Sequence, residues 1–507
     1  MFHTSDCKKY RRCAKNFWLS RKEPNPPFTA YVRMDEDLSS LACEKLGISD
    51  CFKGQRGDNK ELAMEALETH QWLVNARFEY GSLRVKIPFL HKTEEGWDVY
   101  FLFGGHYPKE EEAFNYMLHC WVLTQLHLEL HQLYVIHLDP EYVRGKQLDP
   151  QQLLIISEKF YNDSGRPARR LSAAIEKQTM DVEEMLQQME ELLNGEEIES
   201  VKSNRCTRRN KCVYYQRCFP EEKEMEPDSM LTLVSSQYKN QMYNEGLTTL
   251  QQVDFERLEG SRQQFAQIQA ARNGGRYIDY FGLQTWFDGT LQYPYCFLDF
   301  EWETYAIPPY EGMRCYQVLP FQYSLHILEK DGTLTHKEYI GVHDCRREFC
   351  EQLLKDLPEK GSVIAYNAEG AEKIRLKEMA VQFEDLSDDL LAINERMVDL
   401  SFPFQIGLYY DTRMRGFYSL KTLLPIFDET MTYQDLDIHQ GMDAVFQWRH
   451  LDQEKDNPEK EQIRQHLLEY CGMDTYSMII VMRGLIEELD QWKKQLAKER
   501  DESNENI

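Results

Sequence analysis

The sequence predicts an α/β protein of two domains joined by a helical connector. Three observations support this fold class. Short apolar runs with the alternation of strands occur in both halves of the chain. Helical patterns alternate with such runs between residues 286 and 490. A polar stretch rich in Gln, Arg and Glu, residues 223–285, separates the halves as a connector. A chain of 507 residues is long enough for this organisation.

The first domain is predicted to span residues 1–222, which begin and end with basic, cysteine-bearing segments. Strands are expected in "SLRVKIPFL", "WDVYFLF" and "LYVIHLDPEYV". One long helix is expected over residues 171–193, because apolar residues recur there at helical spacing. These residues are Ile175, Val182, Met185, Met189 and Leu193.

The two ends of the chain and its overall charge limit the cellular locations and the modes of nucleic-acid binding that the sequence predicts. The N-terminus lacks the apolar core of a signal peptide and no apolar run is long enough to span a bilayer, which predicts a cytoplasmic protein. Residues 491–507 are expected to be a charged helix end that frays into disorder. The formal charge of −26 argues against indiscriminate coating of nucleic acid, although a local basic cleft is compatible with it.

Two carboxylates interrupt an apolar strand pattern in "YCFLDFEWETY". Residues two apart on a strand share a face, so Asp299 and Glu301 should project side by side. Two buried carboxylates repel each other, and a divalent cation removes that cost by binding oxygens from both. The alternative is an edge strand with a solvated acidic face, which the apolar flanks disfavour.

Further polar residues follow Asp299 and Glu301 along the chain, and their order is more informative than any one of them. The stretch "GSVIAYNAEGAEKIRLKEMA" predicts a strand, then Asn367, then a helix carrying Glu369 and Glu372. The late helical run "LLEYCGMDTYSMIIVM" places Tyr470 and Asp474 one turn apart on one face. A strand with D-x-E is thus followed by a strand-end Asn with an acid, and then by Y-x-x-x-D on a helix.

This order resembles the DEDD superfamily of 3′–5′ exonucleases in its tyrosine-containing subtype, over roughly residues 290–485. The resemblance implies an RNase H-like fold with a mixed central sheet for residues 286–490. The stretches "YQVLPFQYSLHIL", "MVDLSFPF" and "GFYSLKTLLPIF" are similar to a bacterial group of uncharacterised fused nucleases. In that group a RecB-like domain precedes the exonuclease-like domain.

The resemblance also implies roles for single residues. Asp299, Glu301 and Asp474 would bind two Mg²⁺ or Mn²⁺ ions, and Tyr470 would orient the attacking water. The second motif departs from the usual Asp, and Glu372 is preferred over Glu369 as its acid. Asp399 is expected to brace the sheet, and three histidines are expected to be ordinary polar residues: His326, His343 and His439.

Four cysteines form a candidate metal clamp at the ends of the first domain: Cys13, Cys206, Cys212 and Cys218. The wide spacing of the last three differs from that of zinc fingers. Thiolates suit both iron–sulfur clusters and zinc, so the residues alone leave the two open. The arrangement resembles the clamp of RecB-like nucleases, which implies a 4Fe–4S cluster, with zinc as the alternative. Cys7 is a possible substitute ligand.

Basic and aromatic residues crowd both cysteine segments, and they predict a patch that binds phosphates and stacks on bases. The alternative is that the cations only neutralise the thiolates of a cluster. The predicted nucleic-acid-binding residues are Arg11, Arg12, Arg208, Arg209, Lys211, Tyr214 and Tyr215.

The first domain is predicted to be catalytically inactive. An active RecB-like nuclease needs an Asp followed by a strand with E-x-K, but Pro88, Phe101 and Phe103 stand at the matching positions. His119 replaces the later motif glutamine. A degenerate RecB-like domain is therefore expected to guide nucleic acid without cutting it.

Two hypotheses for function follow. The first is a metal-dependent 3′–5′ exonuclease that hydrolyses phosphodiester bonds, with single-stranded DNA as the expected substrate, guided by the iron–sulfur domain. The second is a noncatalytic nucleic-acid-binding or assembly factor in which both domains are scaffolds. The sequence leaves open DNA or RNA, the pathway and the oligomeric state.

Overall fold

The chain forms a mixed α/β fold, as the sequence predicts. The structure is a computed structural model that describes residues 1–25, 31–206, 211–220, 226–434, 436–438, 440–453 and 459–505. It divides into two compact units. Unit 1 comprises Met1–Pro220 and Tyr305–Gln317, and unit 2 comprises Glu221–Thr304 and Val318–Ile507. Among the helices in these ranges, none has the length and apolar character needed to cross a bilayer.

Unit 1 is built on a seven-stranded sheet. Its strands are β1 (Phe2–His3), β2 (Phe52–Lys53), β3 (Trp72–Tyr80), β4 (Leu83–Lys92), β5 (Trp97–Phe103), β6 (Leu130–Leu138) and β7 (Leu154–Ser157), with a separate hairpin of β8 (Lys159–Tyr161) and β9 (Pro167–Arg170). Its helices are α1 (Thr4–Arg12), α2 (Ala14–Lys22), α3 (Leu38–Lys45), α4 (Lys60–Thr69), α5 (Ala113–Gln125), α6 (Pro150–Leu153), α7 (Leu171–Glu176), α8 (Val182–Asn194) and α9 (Tyr215–Cys218). The sheet order is β2-β3-β4-β5-β6-β7, and β1 pairs with β4.

The three strands predicted in unit 1 are confirmed as β4, β5 and β6. The single long helix predicted over residues 171–193 is wrong, because α7 ends at Glu176 and α8 begins at Val182. The carboxylate of Asp181 accepts a hydrogen bond from the backbone N–H of Glu184, which caps the start of α8. Helical spacing of apolar residues therefore continues across a break in the backbone.

The segment Tyr305–Gln317 groups with unit 1, although the sequence analysis places it in the exonuclease-like domain. Ala306, Ile307 and Cys315 are buried in a core shared with Phe89 and Leu138 of unit 1. Apolar burial therefore ties this excursion to the first sheet.

Unit 2 contains a five-stranded mixed sheet in the order β13-β12-β11-β14-β15. The strands are β10 (Arg276–Ile278), β11 (Tyr295–Thr304), β12 (Val318–Leu328), β13 (Leu334–Ile340), β14 (Ser362–Ala365), β15 (Met397–Asp399) and β16 (Tyr409–Asp411), of which β10 and β16 pair separately. The helices are α10 (Lys239–Asn244), α11 (Arg262–Arg272), α12 (Tyr280–Thr290), α13 (Arg346–Asp356), α14 (Glu372–Gln382), α15 (Ser387–Glu395), α16 (Phe402–Gln405), α17 (Leu420–Phe427), α18 (Gly441–Gln453) and α19 (Lys460–Glu505).

Strand β11 lies at the centre of this sheet, antiparallel to β12 and parallel to β14. Alternate residues of β11 are buried in two different hydrophobic cores. Phe297 packs in a core with Met478 and Met482 of α19, whereas Leu298 and Phe300 pack in another core on the other face. The pleat therefore directs odd-numbered residues of this strand toward the α19 side.

The connector and the tail differ from the expectations. Residues 223–285 group with unit 2, and part of this stretch has a small core of its own that includes Met230, Leu250 and Ile268. Helix α19 continues to Glu505. The prediction that the helix frays from residue 491 is therefore wrong for residues 491–505. Trp492 stacks on Tyr280 with ring centroids 5.2 Å apart, which fixes the start of the predicted tail against α12.

Candidate functional site

The predicted acidic strand face is present in β11. Asp299 and Glu301 have the same parity as Phe297, and both are partly buried. The register between β11 and β12 shifts between Glu301 and Trp302, directly after the second acid. Irregularities of this kind redirect side chains and are common beside functional sites.

Helix α19 brings a third carboxylate to this face. One carboxylate oxygen from each of Asp299, Glu301 and Asp474 lies within 4.8 Å of the others. We call these three residues the acid triad. Its members come from a central strand and from a helix more than 170 positions later in the chain.

The environment of the acid triad disfavours three negative charges. Burial, followed by the charges of Asp474 and Glu372, raises the pKa of Asp299 well above its usual value. Burial and the charge of Asp474 do the same for the pKa of Glu301. Burial raises the pKa of Asp474 to about 6. Ionised together, these groups need a positive counter-charge.

A neighbouring acid on the same strand shows the contrast. Glu303 is fully buried, and the guanidinium of Arg449 donates to both of its carboxylate oxygens at 2.6 and 3.0 Å. The protein thus supplies Glu303 with a bidentate cation of its own. Asp299 and Glu301 have no salt bridge of this kind among the described residues.

The structure separates the two candidates for the second motif. Glu372, the first residue of α14, is 2% exposed and raises the pKa of both Asp299 and Glu301 by its charge. Burial raises its own pKa to about 8, and the nearby backbone groups of Glu372 and Phe300 oppose that rise. Oε2 of Glu372 is buried without a hydrogen-bond partner among the described residues. Glu369 is 71% exposed and pairs with Lys373.

Three further side chains surround Asp474. Tyr470 lies beside Asp474, as the one-turn spacing on α19 predicts, and its hydroxyl opposes the rise in the pKa of that carboxyl. Tyr433 donates to Oδ1 of Asp474 at 2.7 Å, and Nζ of Lys421 donates to the hydroxyl of Tyr470 at 3.2 Å. The Lys421 ammonium also lies over both rings, 5.2 Å from the centroid of Tyr433 and 5.0 Å from that of Tyr470.

Lys421 and Tyr433 were not assigned from the sequence. Lys421 lies within "GFYSLKTLLPIF", which carried the family resemblance but no residue role, and Tyr433 lies in the following loop. The only signal for Lys421 is its position in that quoted stretch. A cavity of about 620 Å³ opens beside both residues and is lined also by Leu424, Pro425 and Met431.

A thiol completes the surroundings of Asp299. Sγ of Cys471 donates to Oδ2 of Asp299 across 3.5 Å. Burial and the nearby carboxylates raise the pKa of this thiol well above its usual value, so it stays protonated and can act as a donor.

Asp399 and two of the three histidines that were expected to have ordinary polar roles make the following contacts. Oδ1 of Asp399 accepts the backbone N–H groups of Asn367 and Ser401 at 2.9 and 2.8 Å, which braces the end of β15. His326 hydrogen-bonds to Thr475 at 2.8 Å, and His343 is exposed beside Asp452. His439 lies outside the described residues.

In unit 1, the side chains at the positions predicted to be catalytically degenerate pack in the core or lie in a strand. Phe101 is 1% exposed and stacks on Tyr116 with centroids 4.0 Å apart. Phe103 packs at the margin of the same core, and Pro88 lies within β4. Burial lowers the pKa of His119 to about 4, and its Nδ1 lies 2.7 Å from the carbonyl oxygen of Asn115. These side chains offer core contacts and a neutral imidazole.

The four predicted clamp cysteines line one cavity in unit 1, although about two hundred residues separate Cys13 from the others. The side-chain amide of Asn16 donates to Sγ of Cys212 at 3.1 Å. Lys15 also lines this cavity. Burial raises the pKa of the Cys218 thiol, and the positive charge of Lys15 opposes that rise. Cys7 is instead fully buried in the main core, so its predicted role as a substitute ligand has no support.

The predicted basic residues around this cavity are only partly available. Arg11, Arg12 and Lys211 are exposed, whereas Arg208 and Arg209 lie outside the described residues. Tyr214 and Tyr215 are 6% and 8% exposed. The Tyr214 hydroxyl donates to the carbonyl of Glu23 at 2.9 Å. The burial of both rings counts against their predicted stacking on bases.

One segment of the chain is similar to a protein family of unknown function. Residues 296–419 match the family described as "Domain of unknown function (DUF2779)". This segment contains Asp299, Glu301 and Glu372. No curated protein matches the chain.

Among solved structures, the chain has a weak likeness to the family B DNA polymerase from the hyperthermophilic archaeon Pyrobaculum calidifontis. The TM-score is 0.25 and the identity 15%, over 38% of this chain and 24% of the polymerase chain. The matched part therefore spans about a quarter of the polymerase.

Proposed function

We propose that unit 2 is a divalent-metal-dependent nuclease that removes nucleotides from the 3′ end of a nucleic acid strand. The observation that carries the proposal is the convergence of Asp299, Glu301 and Asp474, whose carboxylate oxygens lie within 4.8 Å of one another. The order of these acids and Tyr470 along the chain, which resembles DEDD exonucleases, supports it.

The residues fit Mg²⁺ or Mn²⁺. The acid triad offers hard oxygen ligands, which these ions prefer. Burial and mutual repulsion raise the pKa values of its members, so cation binding would relieve a cost that the protein otherwise meets by taking up protons. Glu372 would serve a second ion, since its buried Oε2 lacks a partner among the described residues.

Bound divalent ions would supply an activated water and stabilise charge on the phosphoryl oxygens. The chain's own residues would position the reactants. The Tyr470 hydroxyl receives a hydrogen bond from Lys421 and lies beside Asp474, so it is held at the acid triad, where it would orient the attacking water. The Lys421 ammonium would attract the phosphate of the strand end.

The adjoining cavity of about 620 Å³ provides room for a strand end. Its lining combines Lys421 with the apolar side chains of Leu424, Pro425 and Met431 and the ring of Tyr433. A cation beside apolar and aromatic surfaces suits a phosphate linked to a base.

The proposal is tested with metal-stripped protein and end-labelled single-stranded DNA and RNA. Degradation should require added Mn²⁺ or Mg²⁺ and should be lost in Asp299→Ala. The control is Asp331→Ala, which removes an exposed aspartate from a turn of unit 2. If the wild-type protein binds no divalent ion at millimolar concentration and degrades neither substrate, the noncatalytic scaffold hypothesis is favoured instead.

For unit 1 we propose a noncatalytic nucleic-acid-binding module stabilised by a cysteine-bound iron–sulfur cluster. Cys13, Cys206, Cys212 and Cys218 line one cavity. The resemblance of this arrangement to the clamp of RecB-like nucleases supports a 4Fe–4S cluster, and zinc is the alternative because thiolates bind both.

Full-length Asp299→Ala tests this second proposal. It should still bind single-stranded nucleic acid, and binding should weaken with salt because exposed cations such as Arg11, Arg12 and Lys211 would contact phosphates. Metal-dependent cleavage that persists in this variant would argue for an active site in unit 1.

A further inference from the structure

The carboxylate of Asp474 accepts a hydrogen bond from a phenol that also contacts a buried serine. The Tyr433 hydroxyl lies 2.7 Å from Oδ1 of Asp474 and 3.0 Å from Oγ of Ser477, and its O–H is directed toward both oxygens. A phenol has one proton, and an ionised carboxylate at the shorter distance is a stronger acceptor than a hydroxyl. We call Tyr433, Asp474 and Ser477 the relay.

The relay joins two parts of unit 2 that are far apart in sequence. Asp474 and Ser477 lie on α19, whereas Tyr433 lies in the loop between α17 and α18. Tyr433 is 7% exposed and Ser477 is fully buried, so water does not readily replace either bond. Buried, fully satisfied polar networks hold their members in one geometry.

We propose that Tyr433 is a positioning residue that fixes the carboxylate of Asp474 so that the acid triad can take up a divalent cation. The inference rests on the proposed function only in assigning metal binding to the acid triad. Tyr433 does not point a ligand atom at a cation, because its hydroxyl is engaged by Asp474 and Ser477.

The physical reason is the geometry of the third ligand. Asp299 and Glu301 are set by one strand, but Asp474 must reach them from α19 with a side chain that can rotate. A phenol on Oδ1 restricts that rotation and leaves Oδ2 for a cation. Hydrogen-bond partners of metal ligands commonly contribute 10-fold to 100-fold in metal affinity or activity.

The test is Mn²⁺ binding to metal-stripped full-length protein, measured by electron paramagnetic resonance of free Mn²⁺, for wild type and Tyr433→Phe. The expected result is an affinity lower by about 10-fold in Tyr433→Phe. Tyr323→Phe is the matched control, because the Tyr323 hydroxyl donates to an aspartate, Asp356, at the same 2.7 Å but is not part of the acid triad. Equal Mn²⁺ affinity in wild type and Tyr433→Phe would overturn the inference.

Ser477→Ala keeps the test decisive if Tyr433→Phe does not fold. It removes the second oxygen that contacts the Tyr433 hydroxyl and leaves the Tyr433 ring in place. The phenol is then less firmly oriented, so Mn²⁺ binding should weaken by a smaller factor than in Tyr433→Phe. Unchanged binding in this variant would also count against the relay.

Activity measurements separate this inference from the proposed function. In Tyr433→Phe the Mn²⁺ concentration for half-maximal activity should rise. A purely structural role would change the melting temperature and leave this concentration at the wild-type value. If wild type binds Mn²⁺ more tightly than Tyr433→Phe but degrades no nucleic acid, the inference stands and the proposed function fails.

Discussion

Nζ of Lys421 donates to the hydroxyl of Tyr470 at 3.2 Å, which places an ammonium group at the edge of a cluster of buried carboxylates. The positive charge of Lys421 lowers the pKa values of Glu301 and Asp474, although burial raises both overall. It therefore makes these acids easier to ionise.

Lys421→Met should shift the pH dependence of activity toward higher pH. Without the ammonium the pKa values of Glu301 and Asp474 rise further, so their ionised, metal-binding forms require a higher pH. The measurement is kcat/KM against pH at fixed Mn²⁺. Lys330→Met, at an exposed turn of unit 2, serves as the control and should leave the profile unchanged. An unshifted profile in Lys421→Met would show that the ammonium does not tune the acids.

Asp299→Asn should stabilise the metal-free protein at alkaline pH. The folded-state pKa of Asp299 is raised, so between pH about 4 and that pKa the folded state binds more protons than the unfolded state, and stability falls as pH rises. The amide side chain in Asp299→Asn does not ionise, so this variant does not lose stability in the same way as pH rises. Its melting temperature should exceed that of wild type at about pH 8 and match it near pH 4.

Asp331→Asn gives the opposite sign as a control for that experiment. Hydrogen bonds from Thr333 lower the pKa of Asp331, so its carboxylate contributes stability above its unfolded pKa, and that contribution is lost as pH falls through the folded value.

Added Mn²⁺ should stabilise wild type more at high pH than at low pH. A wild-type melting temperature with no such dependence on metal and pH would contradict the electrostatic account.

Glu372→Gln and Glu369→Gln should behave differently. Glu372 is buried, and its charge acts on Asp299 and Glu301, so its loss should reduce activity by about 10-fold to 100-fold. Glu369 is exposed and pairs with Lys373, so its replacement should change activity little. Steady-state kinetics at saturating Mn²⁺ provide the comparison. The reverse ranking would assign the second motif to Glu369.

Cys212→Ala should lower the iron and sulfide content of the anaerobically purified protein and destabilise unit 1. The metal would close a loop of about two hundred residues between Cys13 and the later cysteines, and such a loop has a large entropy when open. Cys51→Ala, at a thiol away from this cavity, is the control. Stoichiometric zinc without iron in wild type would contradict the cluster and retain the clamp.

Local patterns predicted the parts of unit 2 that carry the acids. The alternation in "YCFLDFEWETY" predicts Asp299 and Glu301 on one face of β11, and the one-turn spacing predicts Tyr470 beside Asp474 on α19. Both are short-range regularities of a strand and a helix. These local patterns do not predict that β11 and α19 meet. That prediction also needed the resemblance to DEDD exonucleases.

Interactions across long sequence separations were not predictable in this way. Tyr433 lies 41 positions before Asp474 in an irregular loop, and nothing in its neighbours marks it as a partner. The excursion Tyr305–Gln317 follows β11 directly, yet its apolar residues bury in unit 1. The sequence does not reveal the break between α7 and α8, because apolar residues keep helical spacing on both sides of it.

The proposed exonuclease activity is tested by following a single-stranded oligonucleotide labelled at its 5′ end, as DNA and as RNA, with wild type and Asp299→Ala in the presence of Mn²⁺. We expect stepwise shortening from the 3′ end by wild type, protection by a blocked 3′ terminus, and no shortening by Asp299→Ala. Activity of Asp299→Ala equal to wild type would place the chemistry outside the acid triad, and cleavage that is indifferent to the 3′ block would contradict the exonuclease assignment.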